Sequence, residues 1–119
     1  MLVDVAKALA DESRLRIIVA LDGRELCVCQ LTELLGLATS TVSRHISVLR
    51  QAGLLSSRKH GKWVFYALNR AERGADVRSA IGWVLANRAA LPQAGDYRRR
   101  LNLILKTDPE ELCRRQNSC

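Results

Sequence analysis

The feature that most constrains this chain is a change of hydrophobic period at Gly53. Before it, Val42, Ile46 and Leu49 recur at i, i+4 and i+7, the single buried stripe of a helix. After it, Val64, Tyr66 and Leu68 alternate with Trp63, Phe65 and Ala67, the pattern of a strand. Lys59-His60-Gly61-Lys62 separates that run from Leu54 to Arg58, so the segment after Gly53 reads as a β-hairpin with a basic tip. Upstream, a short helix over about Gln30 to Leu35 is closed by Gly36, and Thr39 or Ser40 caps the next, which runs to Gln51.

Two short helices joined by Gly36-Leu37-Ala38 and followed by such a hairpin form a winged helix-turn-helix, mainly α with a two-stranded β-wing. The second helix of the pair docks its apolar stripe on the core and turns Ser40, Thr41, Ser43, Arg44, His45 and Ser47 outward. Short hydroxyl side chains let such a helix sit deep in the major groove, where Arg44 reaches guanine O6 and N7. Arg50, Arg58, Lys59 and Lys62 are placed for phosphates, which fix orientation and read no sequence. Charge supports this: 19 Lys and Arg against 12 Asp and Glu give +7, and between Glu33 and Glu72 there is no carboxylate while Arg44, Arg50, Arg58, Lys59, Lys62 and Arg70 fall inside. Excluding acids from so long a stretch is what a phosphate-facing surface requires, and the expected partner is double-stranded DNA, not a membrane.

The rest of the chain frames this unit. A first helix is expected from about Val3 to Leu9, and a second capped by Asp11, with Leu15, Ile18 and Val19 inward, ending at Asp22-Gly23. Helical spacing returns from Ala71 to Leu91 through Val77, Ile81, Val84 and Leu85, and a further helix covers Tyr97 to Leu105. Asp108-Pro109-Glu110-Glu111 is a helix start, with a capping Asp, Pro at the first position and acids in the first turn. At 119 residues there is room for one sizeable core, and the reading divides the chain into a winged helix-turn-helix domain, 1–106, and a Cys-containing tail or short helix, 107–119. Apolar runs such as Ile17 to Leu21 are too short to cross a bilayer, and a cytoplasmic location is expected. There, four cysteines are metal ligands, redox-active thiols or core residues before they are structural disulfides.

Cys27 and Cys29 stand just before the helix pair. Side chains at i and i+2 share a face in extended backbone but lie about 200° apart on a helix. One ion is held by both only if this segment is non-helical or distorts on binding, which suggests a switch that moves the reading helix. Soft thiolates select trivalent arsenic or antimony, or cadmium or lead, over magnesium or calcium. A thiol-based redox sensor and an intracellular metal-buffering protein are the competing readings. With no paired carboxylates, phosphate-cradling loop or nucleophile beside a base, an enzyme is not expected.

The stretch ELCVCQLTELLGLATSTVSRHISVLRQAGLLSSRKHGKWVFYAL, together with DESRLRIIVAL, resembles the ArsR/SmtB family of metal-responsive repressors, over about Leu9 to Leu68. The resemblance implies a homodimer, joined mainly through its first and later helices, that represses its own operon until an ion binds. ELCVCQL is similar to the arsenical-sensing branch, in which these two cysteines, here Cys27 and Cys29, are inducer ligands for trivalent arsenic or antimony. Some members of that branch carry a further cysteine where Thr32 stands here, so a third thiolate must come from Cys113 or Cys119.

Overall fold

In the computed structural model, described for residues 2–70 and 74–117, α1 (Leu2–Leu9) and α2 (Glu12–Ala20) are followed by a short strand, β1 (Leu26–Cys27). The helix-turn-helix comprises α3 (Val28–Leu35) and α4 (Thr39–Gln51), and the wing β2 (Leu55–His60) and β3 (Trp63–Leu68). α5 (Ala75–Ala86), a 3-10 turn over Arg88–Ala90, α6 (Ala94–Leu105) and α7 (Pro109–Gln116) complete the chain.

Local chemistry accounts for most boundaries. Asp11 accepts the Arg14 N–H at 3.2 Å and starts α2, and Asp108 accepts the Glu110 N–H at 3.0 Å and starts α7. Gly36 ends α3 in the left-handed region, φ 66°, where a Cβ is disfavoured. The wing closes in two residues because Gly61 takes φ 62°, with His60 opposite Trp63 and the ladder running to Leu55 opposite Leu68.

Several expectations need correction. α3 begins at Val28, not Gln30, because the Cys27 N–H is capped by Gln30 Oε1 at 3.0 Å. α4 is N-capped by Ala38 in extended backbone, not by Thr39 or Ser40, since two residues suffice to leave the Gly36 turn. On α2, Ile17 and Ile18 are fully buried while Leu15 and Val19 are half-buried, because this helix packs against α1, α4 and α5 at once. The wing has a third strand, as β1 pairs antiparallel with β3, Leu26 opposite Tyr66 and Cys27 opposite Phe65. The long helix expected from Ala71 is shorter: it starts at Ala75 after residues that are not described, breaks at Asn87, and leaves Leu85 half-buried.

The core joins Ile17, Ile18, Leu26, Leu31, Val42, Leu49 and Leu54, all with no measurable exposure, to Ile81 of α5, Ile104 of α6 and Leu112 of α7. α7 packs on α3 through Leu112, 1% exposed, and Cys113, 2% exposed. Among the described residues no helix is long and apolar enough to cross a membrane. Truncating Leu112 to Ala is expected to cost about 2–5 kcal/mol, the range for a buried leucine. A urea titration checks it, and a midpoint unchanged from the native chain would mean that α7 is not part of the cooperative unit.

Candidate nucleic-acid interface and thiol site

α4 presents Ser40, Ser43, Arg44, Ser47 and Arg50 to solvent, all exposed, away from Val42, Ile46 and Leu49. Thr41 is half-buried at the edge of that face. His45 is not on it: its ring Nδ1 lies 3.2 Å from Arg14 Nη1, turned toward α2. The reason is spacing, since His45 follows Val42 by three residues and so falls beside the buried stripe.

Arg58, Lys59 and Lys62 are exposed on the wing, but two of them have carboxylate partners. Arg58 is bidentate on Glu25, with Nη2 to Oε1 at 2.8 Å and Nε to Oε2 at 3.1 Å. The hydrogen bonds from Arg58 hold the Glu25 carboxyl below the usual carboxylate range, and Glu25 raises Arg58 in turn. Lys62 Nζ sits 2.7 and 3.0 Å from the Glu110 oxygens at the start of α7, and 5.1 Å from the Trp63 ring centre. Arg70 likewise pairs with Asp22 at 3.1 Å. Exposed pairs of this kind contribute about 0–1 kcal/mol each, so DNA phosphates can displace the carboxylates.

The cysteine pair straddles a strand-to-helix junction. Cys27 ends β1 with φ −92° and ψ 171°, and Cys29 is in the first turn of α3. The pair is therefore neither fully extended nor fully helical, and both side chains border one cavity of about 310 Å³. Cys113 of α7 borders the same cavity, as do Lys62, Trp63 and Tyr66 of the wing. Cys27 and Cys29, 2% and 6% exposed, are outside any disulfide, and Cys113 is in a disulfide. Gln116 Nε2 donates to the Cys29 carbonyl at 2.8 Å, a second tie between α7 and the cysteine segment. Cys119 lies outside the described residues. Thr32 follows Cys29 by one helical turn, and its buried hydroxyl has no hydrogen-bond partner among the described residues.

Sequence reasoning missed Glu25, Glu110 and Gln116. The two acids lie outside the carboxylate-free window, and Glu110 reads as an ordinary first-turn acid. Only the hairpin register and the docking of α7 bring them to the wing, and no local signal carries either.

Residues 11–57 match the family profile described as "Bacterial regulatory protein, arsR family". The chain is 48% identical over 67 residues to the arsenic resistance transcriptional regulator ArsR1 of Pseudomonas putida, covering 55% of this chain and 52% of that one. It is 47% identical over 68 residues to the arsenical resistance operon repressor of Escherichia coli, covering 56% and 58%. It thus spans little more than half the length of these two relatives. With the cadmium resistance transcriptional regulatory protein CadC of Listeria innocua the identity is 35% over 82 residues, covering 63% of this chain and 69% of that protein. In structure it is similar to HlyU from Vibrio cholerae, with a TM-score of 0.61, 37% identity, and coverage of 73% and 88%. By profile, by relatives and by the winged helix itself, the chain belongs to the ArsR family of bacterial regulatory proteins.

Proposed function

We propose that the chain is an arsenical-responsive transcriptional repressor, not an enzyme, that binds operator DNA as a cytoplasmic homodimer and is released by trivalent arsenic or antimony. The observation that carries this reading is the shared cavity, in which Cys27, Cys29 and Cys113 meet two aromatic residues and a cation of the wing. The arsenic resistance regulators of P. putida and E. coli support the inducer class. The exposed Leu2 and Val3 of α1 and Trp83 of α5, helices that touch, support a dimer joined through an apolar patch.

Cys27 and Cys29 are the primary ligands, and Cys113 is the third once a dithiol reductant has opened its disulfide by exchange, becoming a disulfide itself and leaving Cys113 as a thiol. Each thiol that bonds to arsenite gives its proton to a departing hydroxide, which leaves as water, and the arsenic stays trivalent. Because Cys27 is extended and Cys29 helical, drawing both onto one atom pulls at the first turn of α3. α4 then carries Arg44 off the base edges. The α7 ties supply a second route, since moving Cys113 or Gln116 moves Glu110, the carboxylate that competes with phosphate for Lys62.

One observation favours a second reading, a thiol redox sensor: Cys113 is in a disulfide. Arsenite titration of an operator complex in excess phosphine reductant separates the two, because thiol oxidation is then suppressed. Release is expected under those conditions, and its absence would favour the redox reading.

Cys27→Ser and Cys29→Ser are each expected to abolish release. In the double variant Cys113→Ser/Cys119→Ser, arsenite is expected to be needed at about tenfold or higher concentration, as lesser losses around a metal already cost that much. Phenylarsine oxide, whose arsenic has only two positions open to sulfur, is expected to release the double variant normally. Adding Thr32→Cys, one turn from Cys29, is expected to restore the arsenite response. Anisotropy of labelled operator DNA measures all four, and an unchanged arsenite response in the double variant would exclude the tail as a ligand source.

Arg44→Ala is expected to weaken operator binding by about 1–3 kcal/mol and relax sequence preference, whereas Lys62→Ala weakens all sequences about equally and lowers the salt slope by about one. Equal loss of preference in both would undo the division between base reading and phosphate contact.

Glu110→Gln removes the competitor for Lys62. Tighter operator binding, up to about fivefold given the strength of exposed pairs, is expected in the same assay, together with a blunted arsenite response. Unchanged affinity and response would remove the α7 route.

A further inference from the structure

A second cavity, of about 330 Å³, lies between α2, the 3-10 turn and α6, and none of its lining residues belongs to the thiol cavity, the wing or α4. Its size is at the lower end of small-molecule sites, about 300–1,000 Å³. Arg16, Arg24, Arg88 and Arg98 line it and no carboxylate does, while Val19, Leu34 and Leu101 supply an apolar floor.

The cavity is held open by polar ties in its walls. Arg16, only 4% exposed, stacks 3.7 Å from the Tyr97 ring centre on α6, donates to the Pro92 carbonyl, and pairs with Glu12 at 3.1 Å. Arg88 pairs with Asp22 at 2.8 Å and fixes the 3-10 turn against the end of α2. These two guanidiniums have their carboxylates. Arg24 has only one hydrogen bond, from Nη1 to the Ala20 carbonyl at 2.8 Å, and Arg98 has no ion pair or hydrogen bond among the described residues. A guanidinium carries five donors in a planar fork that matches a carboxylate. Two such forks beside an apolar floor and without an acid in the lining form an unneutralised anion site.

We propose that this cavity binds a small amphipathic organic anion, with its carboxylate held by Arg24 and Arg98 and its apolar body against Val19, Leu34 and Leu101. Leu34 is on α3, so an occupant touches the helix that starts at the cysteine pair. The site stands apart from the arsenical reading and survives its failure.

Calorimetric titration of the native chain with 2-naphthoate, its neutral isostere 2-naphthamide and inorganic phosphate tests it. Binding of 2-naphthoate is expected at least about tenfold tighter than either comparison, as charge-assisted bonds and apolar burial are both required. Arg24→Gln and Arg98→Gln are each expected to weaken 2-naphthoate several-fold at an unchanged urea midpoint, and Arg50→Gln on α4 is expected to leave it unaltered. Equal binding of the amide, equal binding of phosphate, equal loss with Arg50→Gln, or no 2-naphthoate binding at all would each overturn the proposal.

Discussion

The pairing of β1 with β3 is the interaction on which the rest of the molecule depends. Two residues, Leu26 and Cys27, hydrogen-bond to the strand that returns from the wing tip. That short ladder joins the hairpin to the residue that precedes α3. It also fixes Cys27 in extended backbone, where Gln30 can cap it, and so sets where the helix begins. Without it, the cysteine pair would face nothing. With it, both thiols border the underside of the hairpin, and α7 closes the remaining side with Cys113.

The positive charge of the chain serves two purposes that the total of +7 conceals. Arginines repeatedly satisfy the carbonyls that every helix leaves unpaired at its C-terminal end. Arg14 Nε donates to Ala8 O at the end of α1, Arg24 to Ala20 O at the end of α2, Arg100 to Leu34 O near the end of α3, and Arg88 to Leu85 O near the end of α5. Of these, Arg14 and Arg100 reach a helix end from a separate element, while Arg24 and Arg88 bond back within three or four residues. The cations of α4 are different, since the exposed side chains of Arg44 and Arg50 have no ion pair or hydrogen bond among the described residues. Between these sets lie Arg58, Lys62 and Arg70, whose carboxylate partners all come from outside the acid-free window.

How much was legible follows from the range of the forces involved. Asp11, Asp108, Gly36 and the hairpin strands act within a few residues of themselves, and the sequence pattern located each. The buried stripe of α4 was equally readable, because a helix with one apolar face has one period. β1 was not, since two residues carry no period. The burial of Arg16 was not readable for a related reason: in a helix surrounded on several sides a buried arginine interrupts the apolar pattern, and only Tyr97 and Pro92, far along the chain, make its burial tolerable. The place of the cysteine pair, just ahead of the helix-turn-helix, was legible. That Cys113 joins it depends on Leu112 docking on α3, a tertiary event with no local signature.

The energetics limit which of the two proposed routes from the thiols to DNA can carry the response. An inducer that clears an operator must change DNA affinity by a coupling energy of about 1–3 kcal/mol or more. The Lys62–Glu110 pair is exposed on both sides and contributes about 0–1 kcal/mol, so α7 alone falls short even in a dimer with two such pairs. Distortion of the first turn of α3 is the larger effect, because it strains backbone hydrogen bonds and shifts α4 as a rigid element against a close-packed core. The ion pair then acts as a bias on a transition that the cysteine segment drives. On the proposed reading, a thiol pair at a strand-to-helix junction is well placed, because a displacement of one side chain there turns the helices that follow.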